Sequence, residues 1–215
     1  MKGNEMIPIK SLFAGTSVAA LALLAILVSP RVAMAAPTTL DNMQAAFNGE
    51  SNAHARYLAF ANKADAEGYG QVASMFRAAA RAEEIHASNH AAVIKTMGAV
   101  PQAKIDAPDV KSTRENLQAA IKGETYERDV MYPDFLRKAK LDRNRDAVKS
   151  LNFAKTAEAE HAKLYTEALN SLDQLKGSKS EAFYVCPTCG FTARTLPQEK
   201  CPSCFTPKGK FEKVA

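Results

Sequence analysis

Glu83-Glu84-Ile85-His86 and Glu158-Ala159-Glu160-His161 decide how this chain is read. Each contains Glu-x-x-His, and each sits in a long segment whose apolar residues recur at helical spacing. Residues three apart on a helix project from one face, so each motif presents a carboxylate and an imidazole together. Outward from these, a nearly repeated nonapeptide precedes each motif: Asn42-Met43-Gln44-Ala45-Ala46-Phe47-Asn48-Gly49-Glu50, then Asn116-Leu117-Gln118-Ala119-Ala120-Ile121-Lys122-Gly123-Glu124. The nonapeptides are offset by 124 − 50 = 74 positions and the histidines by 161 − 86 = 75. A two-helix unit therefore occurs twice, with a one-residue slip between its halves. Carboxylate on one helix and Glu-x-x-His on the next, twice over, is a pattern by which four-helix bundles hold two metal ions.

Four helical segments follow from the periodicity. The first spans Thr39–Ala66, with Leu40, Met43, Phe47, Glu50, His54, Tyr57 and Ala61 on one stripe. After the turn Gly68-Tyr69-Gly70, the second covers about 71–97 and aligns Val72, Phe76, Glu83, His86, His90 and Val93. A long connection over 98–111 contains Pro101 and Pro108. Ser112 and Glu115 then make a capping box for the third helix, which carries Leu117, Ile121, Glu124, Glu127, Met131 and Phe135. Asn144 can cap the fourth, striped by Val148, Leu151, Glu158, His161 and Tyr165. Short turn, long crossover between helices 2 and 3, short turn: the fold class expected is mainly α, a single-crossover ferritin-like bundle.

Glu50, Glu83, Glu124, Glu127 and Glu158 fall on stripe positions that face the bundle interior. Ionised carboxylates are prohibitively costly to bury alone, and these would also repel one another. No Lys or Arg shares their stripes, so cations must neutralise them; five carboxylates carry −5 and two divalent ions +4. His86 and His161 add ligands without adding charge. Position 127 − 74 = 53 is Ala53 in the first repeat, so the site is pseudo-symmetric with one extra carboxylate. Glu84 and Glu160 lie off the stripes and are read as solvated. His54 and His90 lie on them, one turn beyond Glu50 and His86, and are read as satisfied or half-exposed histidines, with extra ligands as the alternative.

The 215 residues have room for this bundle and a small second domain. Net charge is +5, but no basic helical face or aromatic-basic interleaving marks a nucleic-acid site. Lys2 and Lys10, the apolar run 12–28 and Ala33-Met34-Ala35 form a basic region, a hydrophobic region and a cleavage site. Residues 1–35 are therefore expected to be an export signal, with an uncleaved membrane anchor as the competing reading. The expected location is exported and periplasmic, with no membrane contact once the leader is removed. The bundle is assigned 36–175, a linker 176–182 and a four-cysteine domain 183–215. In that last stretch Cys186-Pro187-Thr188-Cys189-Gly190 and Cys201-Pro202-Ser203-Cys204 form two Cys-x-x-Cys knuckles, a tetrahedral thiolate site for iron or zinc.

Taken together, these segments resemble rubrerythrins. The resemblance rests on Ala46-Phe47-Asn48-Gly49-Glu50-Ser51, Ala82-Glu83-Glu84-Ile85-His86 and Gly123-Glu124-Thr125-Tyr126-Glu127. It also rests on Met131-Tyr132-Pro133, Ala157-Glu158-Ala159-Glu160-His161 and a rubredoxin-like end from Tyr184 through Cys204. The resemblance implies a non-haem di-iron peroxidase that reduces hydrogen peroxide to water, with one further iron, or zinc, in the four-cysteine site. It implies iron ligation by Glu50, Glu83, Glu124, Glu127, Glu158 and His161, and by His86 as a ligand that trades places with Glu127. Tyr57 and Tyr132 resemble tyrosines that orient ligands or the bound oxygen species, and with Glu127 and His86 they form the expected catalytic set. The linker is expected to hold the two metal sites of one chain apart, so that a head-to-tail homodimer brings them within range. An unidentified electron donor completes the partners. The rival reading is a ferroxidase or iron-buffering protein with structural zinc in the four-cysteine domain.

Overall fold

The computed structural model describes residues 36–215 and, before them, Met1 alone; the expected leader and its cleavage site lie outside the described residues. Helix α1 (Thr39–Ala66) opens on a capping box, Thr38 accepting from the Asp41 amide and Asp41 from the Thr38 amide. Gly68, at φ +76°, makes the tight turn into α2 (Gly70–Thr96). The crossover then runs back without regular structure, and three amides spaced four apart on α1 satisfy its backbone. Gln44 donates to Val100 O (2.7 Å), Asn48 accepts from Lys104 N (2.8 Å) and Asn52 accepts from Asp106 N (2.9 Å).

The third bundle helix is not regular. It starts at the expected Ser112–Glu115 capping box as α3 (Thr113–Tyr126), loosens into a π-helical turn over Glu127–Met131, and continues as α4 (Tyr132–Leu141). Asn144 caps α5 (Arg145–Asn170), accepting from Ala147 N at 3.0 Å. The π turn accounts for the slip in the repeat. Helix starts are offset by 113 − 39 = 74, helix ends by 141 − 66 = 75, so one extra residue lies inside the helix. A π bulge is the way a helix takes up one residue without breaking.

Two apolar clusters flank the carboxylate layer. Tyr57, Phe60, Phe76 and Tyr165 lead one; Met43, Ile94, Tyr132 and Leu151 lead the other. After a 3₁₀ turn at Leu172–Leu175, the C-terminal module forms an antiparallel sheet with order β2-β1-β3: β1 (Phe183–Val185) lies between β2 (Thr192–Ala193) and β3 (Glu212–Val214).

The linker corrects an expectation. It does not hold the module away; it is stitched along the α1–α2 turn of its own chain. Gly177 N donates to Gly68 O (2.8 Å), Gly70 N to Ser178 O (3.2 Å) and Glu181 N to Ser74 Oγ (3.2 Å). A Cβ on Gly70 would stand 2.7 Å from Ser178 O, so only glycine admits the strap there. Phe183 and Val185 join the Phe60–Phe76 cluster, and Arg81 grips Glu212 through two nitrogens at 2.7 and 2.9 Å. Backbone pairing to a helix turn makes this glycine-serine linker a fixed strap. Among the described residues no helix is long and apolar enough to cross a membrane.

Candidate metal centre

Four helices each send carboxylate or imidazole to one buried layer. Glu50 comes from α1, Glu83 and His86 from α2, Glu124 from α3, and Glu158 and His161 from α5; none is more than 1% exposed. Their ligand atoms form two groups, each within 4.8 Å: Glu50, Glu83, His86 and Glu158, and Glu83, Glu124, Glu158 and His161. Glu83 and Glu158 belong to both, so two ions held by these groups would share them.

The polar atoms bear out that fit. Glu50 Oε2, Glu83 Oε1, Glu124 Oε2, both Glu158 oxygens and His161 Nδ1 are buried with no hydrogen-bond partner. Native interiors leave few such groups, so six in one layer mark a missing positive charge. Without metal the layer must take up protons. Burial, then Glu83, Glu127 and Glu158, raise Glu50 well above the usual carboxylate range, and burial with Glu158 and Glu83 lifts Glu124 to about 8. Burial alone would lower His86, but Glu158 and Glu83 outweigh it and hold it near about 10. Two divalent ions would replace those protons.

The histidines are oriented by the C-terminal module. His86 Nε2–H donates to the Cys189 carbonyl (3.1 Å), leaving Nδ1 to face Glu83 (2.8 Å) and Glu158 (3.1 Å). Thr192 Oγ1 donates to Gly190 O (3.0 Å) and so accepts Nε2–H of His161 (3.1 Å), which turns His161 Nδ1 to Glu158 (2.9 Å). Holding the far ring nitrogen fixes which nitrogen meets a metal. Gly190, at φ +74°, passes so close that a Cβ would stand 2.2 Å from His86 Nε2. Sequence reasoning assigned Gly190 to the knuckle turn alone and did not reach Thr192.

The tyrosines cross the repeat: Tyr57 Oη donates to Glu124 Oε1 (2.5 Å), and Tyr132 Oη to Glu50 Oε1. Glu127 stands apart from both ligand groups. It begins the π turn and lines an open pocket with Asn48, Asn52, Arg56 and Asp106. His54 Nδ1–H donates to the Ala80 carbonyl (2.8 Å), and His90 lies between Ser150 and Tyr132. Glu84 and Glu160 pair at the surface with Arg81 (2.8 Å) and Lys163 (3.1 Å).

The second site is also assembled. Cys186 and Cys204 sulfurs are 3.5 Å apart and those of Cys189 and Cys201 3.6 Å, far beyond a disulfide bond. Those separations approach the roughly 3.8 Å edge of a thiolate tetrahedron with metal–sulfur bonds of about 2.3 Å.

The rubrerythrin family profile matches residues 41–169. The chain belongs to the rubrerythrin family. Nigerythrin of Nitratidesulfovibrio vulgaris is 41% identical over 175 residues, covering 81% of this chain and 85% of that protein. Rubrerythrin-2 of Clostridium acetobutylicum is 36% identical over 176 residues, covering 81% and 95%. The solved structure of fully reduced, all-ferrous nigerythrin superimposes with a TM-score of 0.76 at 39% identity, over 86% of this chain and 90% of that one. As a rubrerythrin the chain is a di-iron oxidoreductase of oxidative stress, with a ferritin-like bundle and a four-cysteine metal module. A Desulfovibrio desulfuricans bacterioferritin, at 20% identity and TM-score 0.61, shares the fold.

Proposed function

We propose that this rubrerythrin reduces hydrogen peroxide to water at the carboxylate–histidine site, with electrons relayed from iron in the four-cysteine module. One observation carries the reading. His86 faces the buried carboxylates through Nδ1 and touches the Cys189 carbonyl through Nε2, so one imidazole links both sites within one chain. When bound, an iron pair supplies the two electrons that O–O cleavage consumes, and the thiolate iron replenishes them singly.

The residues have distinct assignments in this reading. Glu50, Glu83, Glu124, Glu158, His86 and His161 hold the pair, and Cys186, Cys189, Cys201 and Cys204 the single iron. Four carboxylates at −4 balance two ferrous ions at +4, which supports the arrangement with His86 inside and Glu127 outside. Glu127 would be the residue that trades places with His86 when the pair is held. Tyr57 and Tyr132 hold Glu124 and Glu50 by their O–H groups. The two sites already touch within one chain, a head-to-tail homodimer remains the proposed assembly, and the external donor is a separate protein or carrier. The leader supports export, which N-terminal sequencing of secreted protein would check by finding a start near Ala36.

Anaerobic loading of residues 36–215 with ferrous iron, followed by added peroxide, tests the activity. Oxidation of both centres in proportion to peroxide is expected; oxidation by dioxygen with indifference to peroxide would favour the ferroxidase or iron-buffering reading. Mixing Glu83→Ala chains with Cys186→Ser chains tests the intrachain route. No recovered turnover is expected, and recovery would return electron passage to a pair of chains.

A further inference from the structure

Reducing peroxide consumes two protons as well as two electrons, and all six ligands of the two groups are buried. A hydrogen-bonded file leads from Glu50 to the surface. Tyr132 Oη has one proton, which it donates to Glu50 Oε1, an acceptor only once cations keep that carboxylate ionised. His90 Nε2, at 3.2 Å from Tyr132 Oη, must then be the donor of that contact. His90 Nδ1 is left as an acceptor, and Ser150 Oγ at 2.8 Å supplies its proton. Every O–H and N–H in the file thus points inward.

His90 is 0% exposed, while Ser150 is 5% exposed and lines an open cleft of about 260 Å³. Asp146, Lys149, Asn89 and Thr188 share that cleft, where α2, α5 and the cysteine module meet. The other half of the repeat has no counterpart. The position equivalent to His90 is 90 + 75 = 165, Tyr165, and the one equivalent to Ser150 is 150 − 75 = 75, Met75, both buried in the apolar cluster.

We propose that Ser150, His90 and Tyr132 form a proton path from this cleft to the metal layer, entering at Glu50. The proposal rests on the peroxide-reducing reading. In one passage an acid in the cleft, hydronium or a buffer acid, protonates Ser150 Oγ as Ser150 gives its proton to His90 Nδ1. The Nε2–H bond of His90 breaks as Tyr132 gains that proton, and the Tyr132 O–H bond breaks as Glu50 gains its own. One proton enters at the cleft, Glu50 hands its own on to the peroxide, and no residue of the file keeps a change in charge. His90 ends with its proton on Nδ1 and must reset its tautomer before the second proton.

His90→Gln is the decisive variant, because a glutamine amide can still donate to Tyr132 but cannot pass a proton through. Two measurements are made on the full chain. In the zinc-loaded protein, nitrogen-15 NMR of the His90 ring should report the Nε2–H tautomer; Nδ1–H would overturn the path. In ferrous-loaded protein, His90→Gln and Ser150→Ala should each slow oxidation by peroxide about tenfold, short of the roughly hundredfold or more of direct general acid catalysis. Imidazole in the buffer should restore part of the rate in His90→Ala. Parent-like rates in both His90→Gln and Ser150→Ala, with iron content unchanged, would overturn it. A parent chain indifferent to peroxide would overturn the peroxide reading, while the His90 tautomer would still decide the path.

Discussion

The two halves of the metal site are built from one repeat but face different surroundings. In each half a tyrosine reaches across to the other half's glutamate: Tyr57 to Glu124, and Tyr132 to Glu50, with 57 + 75 = 132 and 50 + 74 = 124. Behind Tyr57 the packing is aromatic. Tyr165 lies 5.6 Å from Tyr57 and 5.1 Å from Phe76 between ring centroids, and its hydroxyl is buried with no partner. Behind Tyr132 stand His90 and then Ser150, which reaches the cleft. The coordination is therefore close to symmetric while the hydrogen-bonded file to the cleft is one-sided. A duplicated scaffold fixes ligand geometry, and a few unmatched residues decide where water and protons enter.

The sharpest way to break this comparison is through the shared ligands. Glu83→Ala removes a carboxylate common to both ligand groups, so metal analysis should find both ions lost from the bundle. Glu50→Ala or Glu124→Ala removes a carboxylate from one group and should leave about one ion per chain. Equal losses in all three variants would contradict two bridged sites.

The module's two contacts offer the next test. Gly190→Ala drives a Cβ into His86 and also strains a positive φ, so a stability loss of about 1–3 kcal/mol is expected from overpacking alone. Thr192→Val takes one hydrogen bond from His161, worth about 1 kcal/mol. Urea midpoints measure both, and iron-to-iron electron transfer should suffer more in Gly190→Ala. A harmless Gly190→Ala would mean the module does not sit on His86.

The tyrosine pair separates holding from delivery. Tyr57→Phe and Tyr132→Phe each strip a buried carboxylate of its donor, at a similar cost of about 1–3 kcal/mol. Only Tyr132→Phe should also slow peroxide-driven oxidation, by about tenfold. Equal slowing would make the two halves functionally alike.

The smallest effect is on pH dependence. In the metal-free chain burial, Glu158 and Glu83 raise Glu124 from 4.5 to about 8. Against the cost of burial, Glu158 and Glu83 raise His86 from 6.5 to about 10. Both groups hold protons in the folded chain that the unfolded chain has released, so stability falls as pH rises from about 5 toward 10. Glu83 is shifted the other way, by its hydrogen bonds to His161 and His86 against burial, and acts only below the ordinary carboxylate range. Urea midpoints across that window should decline for the metal-free chain and flatten once divalent ions are bound.

Much of this was legible in the chain. Both capping signals foreseen, Ser112–Glu115 and Asn144, start their helices, and six of the seven bundle ligands expected converge in one layer. The one-residue slip was visible as arithmetic, yet only the backbone reveals it as a π turn beginning at Glu127. That turn coincides with the one expected ligand standing outside the ligand groups. The docked module was not legible, because Gly177 and Ser178 read as a linker holding the sites apart until their backbone partners at Gly68 and Gly70 are known. Nor was the His90 file, since His90 and Ser150 are 60 residues apart and share no motif.

The central claim is that a buried acidic layer persists because two cations neutralise it. Anomalous scattering at the iron edge from crystals of the ferrous-loaded chain tests it most directly. The account predicts two peaks bridged by Glu83 and Glu158, with a third among the four cysteines. A single peak in the bundle, or none with the glutamates turned outward, would contradict it.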